Sequence, residues 1–325
     1  MSGAPRHLLS VADLGRAGIV EVLRLADSFA EIAERPIPKV PTLRGRTVAT
    51  VFFEASTRTR LSFETAAKRL SADTMSFGTA GSSLSKGESL RDTAETLDAM
   101  GVDVMVVRHA AAGAPARVAS YVSAHVVNAG DGQHEHPTQA LLDCFTLREA
   151  RAAAGAAADD LEGLRVAIVG DVRHSRVARS DVLALSALGA EIHLVGPATL
   201  LPPSLEGWPV KSAGADLDAL LGELDVVYVL RLQLERMRTG LLPSLREYSA
   251  RFGLTAGRAR RLPESAVVLH PGPMNRGVEI DDAVASSPRS RVTRQVRNGV
   301  AVRMAVLFHL LNGPDQAATR TAAAP

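Results

Sequence analysis

The chain has 325 residues, of which 46% are hydrophobic and 22% are charged, a composition typical of globular proteins. Its length predicts two domains of ordinary size, each with its own core. The formal net charge is only +2, no apolar run approaches the roughly 20 residues that span a bilayer, and basic residues are not interleaved with aromatic ones, so we expect neither a membrane role nor nucleic-acid binding.

Short apolar runs that close on turn or polar residues predict buried strands along the whole chain. These runs cover 47–54, 102–107, 125–128, 165–169, 191–195, 225–230 and 266–269. Most are separated by stretches with helical periodicity, such as 88–100 and the series Phe63, Ala66, Ala67 and Leu70. This alternation predicts an α/β fold of two domains, each a mostly parallel sheet flanked by helices.

An alanine-rich tract at 150–160 marks the predicted domain boundary. We therefore expect a first domain at 1–149, ending in a helix that begins at Pro137, and a second domain at 150–294. A further helical pattern at about 295–312 is expected to pack back on the first domain. Two domains leave a cleft between them, where we expect the active site.

The N-terminal residues and the single cysteine both favour a cytoplasmic location. The first 14 residues hold no apolar run long enough for a signal peptide, and Cys144 is the only cysteine. Cys144 lies between Leu142 and Phe145 in an apolar helical pattern. We expect it to be a packed thiol and not a nucleophile.

Hydrogen-bonding residues follow the predicted strands. In open α/β sheets, ligands bind beyond the carboxyl ends of the strands. The segments at these ends are 56–60, Arg108, 130–139, 170–176, 231–233 and 270–273.

The first of these segments, Ser-Thr-Arg-Thr-Arg at 56–60, has the features of an anion site. Hydroxyls and backbone N–H groups at a helix start meet the positive end of the helix dipole, and Arg58 adds a fork of donors. A phosphate fits such a site. The alternative for these five residues alone is a helix cap with surface arginines.

The residues around this segment resemble a known family. Phe-Phe-Glu-Ala-Ser-Thr-Arg-Thr-Arg at 52–60, with Ser-Phe-Glu at 62–64, resembles the carbamoyl-phosphate signature of the aspartate and ornithine carbamoyltransferase family. The resemblance extends over roughly 7–311, through the motifs at 86–88, 108–109, 128–132, 136–139, 169–171 and 269–273.

The second half of the chain favours the aspartate branch of that family. Ornithine enzymes carry His-Cys-Leu-Pro near the end, whereas this chain has His-Pro-Gly-Pro at 270–273. Arg176 and Arg231 offer cations for two carboxylates, which suits aspartate. The resemblance therefore implies transfer of the carbamoyl group of carbamoyl phosphate to the α-amine of L-aspartate. The products are N-carbamoyl-L-aspartate and phosphate, in pyrimidine (UMP) biosynthesis.

The resemblance also implies which residues contact carbamoyl phosphate. These are Ser56, Thr57, Arg58, Thr59, Ser83, Arg108, His136, Gln139, Pro271, Gly272 and Pro273. Thr59, Arg108 and His136 would point donors at the carbonyl oxygen, where negative charge grows as the amine attacks. The implied catalytic residues are Arg58, Thr59, Lys86, Arg108 and His136.

The aspartate contacts are implied in the same way. They are Lys86, Arg176, Arg231 and Gln233. Glu54 and Arg236 would favour the domain-closed form, while Arg60 is assigned no ligand.

The small-residue stretch at 81–87 reads as a loop without periodicity. Family members place this loop in the neighbouring subunit's site, so the resemblance implies a homotrimer with active sites shared between subunits. The loop is shorter than the best-known bacterial pattern, which leaves Ser82 and Ser83 both open as the contacting serine, with Ser83 preferred. The sequence leaves open whether a regulatory chain or a dihydroorotase also binds.

The sequence also offers alternative interpretations. His134 and His136 could form part of a metal site, and Gly170-Asp171 faintly resembles a dinucleotide turn. Neither pattern has the ligand or glycine spacing that it needs, so we expect no metal and no cofactor. Within enzymes, the alternative is a carbamoyltransferase for another amino acid. Outside enzymes, it is a catalytically silent subunit that binds metabolites and regulates a partner.

Overall fold

The computed structural model describes residues 5–78, 88–155, 161–233 and 240–312. The chain divides into two compact units, unit 1 formed by Met1–Leu142 with Arg297–Pro325 and unit 2 formed by Asp143–Val296. Both divisions fall inside helices, whereas the sequence places the domain boundaries after 149 and after 294. Ser82, Ser83, Lys86 and Arg236 lie outside the described residues.

Unit 1 is built on a sheet of four parallel strands in the order β2-β1-β3-β4. The strands are β1 (Thr47–Phe52), β2 (Asp73–Gly78), β3 (Val104–His109) and β4 (His125–Asp131). The helices are α1 (Gly15–Ala33), α2 (Thr57–Arg69), α3 (Leu90–Ala99), α4 (Ala114–Ala119), the start of α5 (Pro137–Ala153) and most of α10 (Val292–Asn312), with a 3-10 turn at Val11–Leu14.

The helices of unit 1 pack through the faces that the sequence predicts. Phe63, Ala66 and Ala67 are buried on α2, as their spacing indicates. Helix α10 contacts other helices of this unit: the rings of Phe308 and Phe29 have centroids 5.7 Å apart.

Unit 2 contains five parallel strands in the order β7-β6-β5-β8-β9. The strands are β5 (Arg165–Val169), β6 (Glu191–Val195), β7 (Ser212–Gly214), β8 (Val226–Val229) and β9 (Val267–Leu269). The helices are the rest of α5, α6 (Arg176–Ala187), α7 (Leu245–Phe252), α8 (Ala256–Ala259), α9 (Asp282–Ala285) and the start of α10, with 3-10 turns at Ala198–Leu200 and Leu221–Glu223.

The predicted fold class is confirmed, because both units are parallel sheets flanked by helices. The sequence patterns do not predict β2 and β7, two edge strands whose residues are all half-buried or exposed. A strand without buried residues lacks the continuous apolar run that marks a buried parallel strand. The edge strands β4 and β9 are buried along their length, and the patterns predict both. No helix within the described ranges combines the length and apolar character that crossing a bilayer requires.

Candidate functional site

Three predicted ligand segments of unit 1 follow adjacent strands. Because β1, β3 and β4 are parallel neighbours, the segments 53–60, 108–109 and 130–136 meet at one edge of the sheet, called here the unit 1 edge. Arg108 forms hydrogen bonds on both sides, to the segment after β1 and to β4. Its Nη2 donates to Glu54 Oε1 at 2.9 Å, and its Nη1 donates to the carbonyl oxygen of Ala129 at 3.2 Å.

The start of α2 supplies anion-binding groups to this edge. Ser56 is the N-cap residue, with extended backbone angles, but its side chain makes no capping hydrogen bond. Thr57 and Arg58 are exposed, whereas Thr59 is 7% exposed. First-turn N–H groups have no partners inside the helix, so they can bind an anion together with the Arg58 guanidinium.

Arg60 differs from Arg58 in its surroundings. It is exposed, and its Nε lies 3.9 Å from Glu64 Oε1, one turn further along α2. At this distance, and with the Arg60 side chain exposed to solvent, such a pair contributes little to stability. The structure therefore places Arg60 in a weak surface pair.

The loop after β4 is held by the Asp131 carboxylate. Its oxygens accept hydrogen bonds from Asn128 Nδ2 at 2.8 Å, from the Gly113 N–H at 2.6 Å and from the Glu135 N–H at 3.1 Å. Gly132 lies at φ +49°, and a Cβ there would come within 2.8 Å of the Ala112 nitrogen. The loop conformation therefore depends on both Asp131 and Gly132, which the sequence patterns did not single out as supports.

The same loop bears on the metal alternative. His134 Nδ1 lies 3.1 Å from Asp131 Oδ2, and Glu135 Oε2 accepts the Val11 N–H at 3.0 Å, so these two side chains hold the loop. Within the described ranges, no group of three or more His, Cys, Asp or Glu side chains is placed to hold a metal ion.

The loop delivers three side chains to the start of α5. His136 is 4% exposed, and Gln139 is half-buried in the first turn of the helix. Between them, Thr138 is fully buried, and its hydroxyl has no hydrogen-bond partner among the described residues. The family motif at 136–139 contains Thr138, but the resemblance assigns it no role.

Unit 2 arranges its predicted residues in the same manner. Because β5, β8 and β9 are parallel neighbours, the segments 170–176, 230–233 and 270–273 meet at one edge of the second sheet, called here the unit 2 edge. Arg176 begins α6 and is 5% exposed, while Ser175 caps the helix by accepting the Ala178 N–H at 3.1 Å. Arg231 and Gln233 are half-buried just beyond β8.

The 270–273 segment is fixed by the buried His270 ring. His270 Nδ1 accepts the Gly272 N–H at 2.8 Å, so the ring proton is on Nε2, which donates to Glu279 Oε1 at 3.1 Å. The same carboxylate oxygen accepts the Asn275 N–H at 2.6 Å. Pro271 and Gly272 are half-buried and Pro273 is exposed.

Cys144, which follows Gln139 on α5, is fully buried. Burial raises the pKa of its thiol well above the usual value. A thiol with a raised pKa is a poor nucleophile.

Both halves of the chain match models of one protein family. Residues 6–149 match the family model described as aspartate/ornithine carbamoyltransferase, carbamoyl-P binding domain. Residues 162–310 match the model of the Asp/Orn binding domain of the same family. The chain belongs to the aspartate/ornithine carbamoyltransferase family.

Individual family members are similar over nearly the full length. The aspartate carbamoyltransferase catalytic subunit of Acidothermus cellulolyticus is 58% identical over 320 residues, which are 98% of this chain and 97% of that protein. Two solved structures are of the Trypanosoma cruzi aspartate transcarbamoylase, each 31% identical and covering 93% of this chain. The structure in complex with carbamoyl phosphate and aspartate has a TM-score of 0.83, and the match covers 96% of that chain. The structure in complex with N-(phosphonacetyl)-L-aspartic acid (PALA) has a TM-score of 0.81, and the match covers 94% of that chain.

The two family models divide the predicted ligand residues. The unit 1 edge and Gln139 fall within the carbamoyl-P binding match, whereas Arg176, Arg231 and Gln233 fall within the Asp/Orn binding match. The 271–273 segment also falls in the second match, although the family resemblance predicts that it contacts the carbamoyl group. Each family model therefore covers one part of the predicted set of ligand residues.

Proposed function

We propose that this chain transfers the carbamoyl group of carbamoyl phosphate to the α-amine of L-aspartate, giving N-carbamoyl-L-aspartate and phosphate. The observation that carries the proposal is the start of α2, where helix N–H groups without a side-chain cap and the exposed Arg58 lie at the same sheet edge as Arg108. Membership of the family and the similarity to aspartate carbamoyltransferase catalytic subunits support it.

The unit 1 edge would hold the leaving group and the reacting carbonyl. Backbone N–H groups of the first α2 turn, the hydroxyls of Ser56 and Thr57, and Arg58 suit a phosphate. Thr59, Arg108 and His136 would donate to the carbamoyl oxygen as negative charge develops there. Loss of one donor of this kind typically costs about 100- to 1000-fold in rate.

The unit 2 edge would hold the nucleophile. Arg176 would bind the α-carboxylate of aspartate, and Arg231 with Gln233 would bind the β-carboxylate. Gln139 and the backbone of Pro271 and Gly272 would fix the carbamoyl amide. The neutral α-amine then forms a bond to the carbamoyl carbon, the bond to the phosphate oxygen breaks, and the amine gives up a proton. Proximity and charge stabilisation supply the rate without a covalent enzyme intermediate.

We propose further that the chain works as a homotrimer in cytoplasmic pyrimidine biosynthesis. The family resemblance assigns Ser83 and Lys86 to the site of the neighbouring subunit, and Glu54 and Arg236 to domain closure. Shared sites have a testable consequence: mixing Arg58→Ala chains with Lys86→Ala chains should restore activity, because some hybrid sites then contain both native residues. Mixtures no more active than either variant would contradict sharing.

The substrate assignment is tested by three parallel assays. Purified chain is given carbamoyl phosphate with L-aspartate, L-ornithine or N-acetyl-L-ornithine, and the carbamoylated product is measured by colour formation. We expect product with aspartate alone. Product with another amine would reassign the substrate. Tight PALA binding without turnover of aspartate would instead indicate a silent binding subunit.

A further inference from the structure

A buried carboxylate lies behind the unit 2 edge and has no part in the chemistry proposed above. Asp143, on α5, is fully buried. The Tyr228 hydroxyl on β8 donates to its Oδ2 at 2.8 Å, and Gln295 Nε2 on α10 donates to its Oδ1 at 2.6 Å. Each oxygen therefore receives a donor from a different element of unit 2.

Gln295 also forms a hydrogen bond to the 270–273 segment. Its Oε1 accepts the backbone N–H of His270 at 3.0 Å, while its Nε2 faces Asp143. A side-chain amide has donors at one end and an acceptor at the other, so the two contacts fix each other. The Asp143 carboxylate thus orients the amide that holds His270.

A second buried carboxyl lies on the helix that begins with Arg176. Asp181, on α6, is fully buried, and neither of its carboxyl oxygens has a hydrogen-bond partner among the described residues. Burial raises the pKa of Asp181 well above its usual value, and the charge of Asp143 raises it further. The raised pKa favours the neutral form of Asp181.

We propose that Asp143 is a positioning residue that fixes β8, the strand before Arg231 and Gln233, and the 270–273 segment relative to each other. This inference rests on the proposed function, which assigns the β-carboxylate of aspartate to Arg231 and Gln233 and the carbamoyl amide to Pro271 and Gly272. Asp143 is assigned to neither substrate. It acts through Tyr228 on one side and through Gln295 on the other.

The network makes an asymmetric prediction for two isosteric changes. In Asp181→Asn, a neutral amide of the same shape replaces the carboxyl, so the Tyr228 and Gln295 contacts of Asp143 are kept. In Asp143→Asn, the new NH₂ group faces either Gln295 or Tyr228. If it faces Gln295, it meets the donor Nε2, and if Gln295 turns to relieve this, its NH₂ faces the His270 N–H and the contact to the 270–273 segment is lost. If it faces Tyr228, the hydroxyl can accept from it but loses the carboxylate that accepted its own proton, so the contact to β8 is weakened.

The test measures kcat and the KM for aspartate in wild type, Asp143→Asn and Asp181→Asn, at a temperature where circular dichroism finds each chain folded. We expect Asp143→Asn to raise the KM for aspartate, or lower kcat per folded chain, by about 10- to 100-fold, as small misplacements do. Asp181→Asn should stay within about threefold. Equal kinetic constants in the two variants would overturn the proposal, as would an Asp143→Asn chain that loses only thermal stability.

A second pair of variants serves if Asp143→Asn does not fold. Gln295→Met has similar length but no donor or acceptor, and should raise the KM for aspartate or lower kcat by about 10-fold. The control, Arg294→Met, removes the neighbouring surface pair with Glu149 and should leave both constants unchanged. Wild-type constants for Gln295→Met would overturn the proposal. A wild-type chain that makes no carbamoyl aspartate would instead refute the proposed function.

Discussion

The unit 1 edge and the unit 2 edge present arginines to anions in two different ways. At the unit 1 edge, Arg58 is exposed at a helix start, and its neighbours in the chain supply the other donors. At the unit 2 edge, Arg176 is 5% exposed, and the Asp143 carboxylate connects β8 and the 270–273 segment from behind, through Tyr228 and Gln295. Changes at the first edge should therefore alter the chemistry without altering the fold. Changes at the second edge should alter both the chemistry and the stability of the fold.

The largest effect is expected at the unit 1 edge. Arg58→Ala removes the cation at the α2 start, and we expect kcat at saturating substrates to fall about 100- to 1000-fold. Because Arg58 is exposed, the melting temperature should stay close to that of wild type. Steady-state kinetics and a thermal melt measure both. Near-normal turnover would contradict the assignment of Arg58 as an anion ligand at the unit 1 edge.

A substrate-selective effect is expected at the unit 2 edge. Arg231→Leu removes the predicted partner of the β-carboxylate, and the KM for aspartate should rise about 10- to 100-fold, the usual range for a lost charged hydrogen bond. The Kd for carbamoyl phosphate alone, measured by calorimetry, should change less than about threefold. If carbamoyl phosphate binding weakened as much as aspartate binding, the division of ligands between the two edges would be wrong.

The Asp143–Asp181 pair predicts a pH dependence of stability. Because the pKa of Asp181 is raised in the folded chain, the folded state binds this proton more tightly than the unfolded state, whose value is near 3.8. The resulting stabilisation is complete below about pH 4 and is lost as pH rises through the folded pKa. The groups that face Asp181 are Asp143, Tyr228 and Cys144.

Asp181→Asn removes this titration. Its melting temperature relative to wild type should therefore rise as pH increases from 5 to 8, by about 2–4 °C for each kcal/mol that the wild type loses. Thermal melts across that range, with Asp216→Asn as an exposed control, measure the difference. A difference in melting temperature between Asp181→Asn and wild type that stays constant with pH would show that Asp181 is ionised in the folded chain.

The smallest effect is expected for Arg60→Ala. Its pairing with Glu64 is long, and the Arg60 side chain is exposed, so stability should change by less than about 0.5 kcal/mol and kcat by less than about threefold. Comparison with Arg58→Ala, two residues away on the same helix, sharpens the contrast between a ligand and a surface pair. A large loss of activity would give Arg60 a ligand role.

The sequence predicted the unit 1 edge better than the support of unit 2, for a physical reason. The α2 start is local, so residues adjacent in the chain carry both the helix signal and the anion signal. The partners of Asp143 lie 85 and 152 residues away, at Tyr228 and Gln295, and no short spacing in the chain can indicate such contacts. The patterns do not predict strands β2 and β7, because neither strand has a buried residue and neither needs a continuous apolar run.

The most direct test of the central claim is a crystal structure of this chain with PALA. We predict that the phosphonate contacts the first-turn N–H groups of α2 and Arg58, and that the two carboxylates contact Arg176 and Arg231. Binding of the carboxylates by residues of unit 1 alone, or of the phosphonate away from the α2 start, would contradict the assignment of the phosphate to the unit 1 edge and of the aspartate carboxylates to the unit 2 edge.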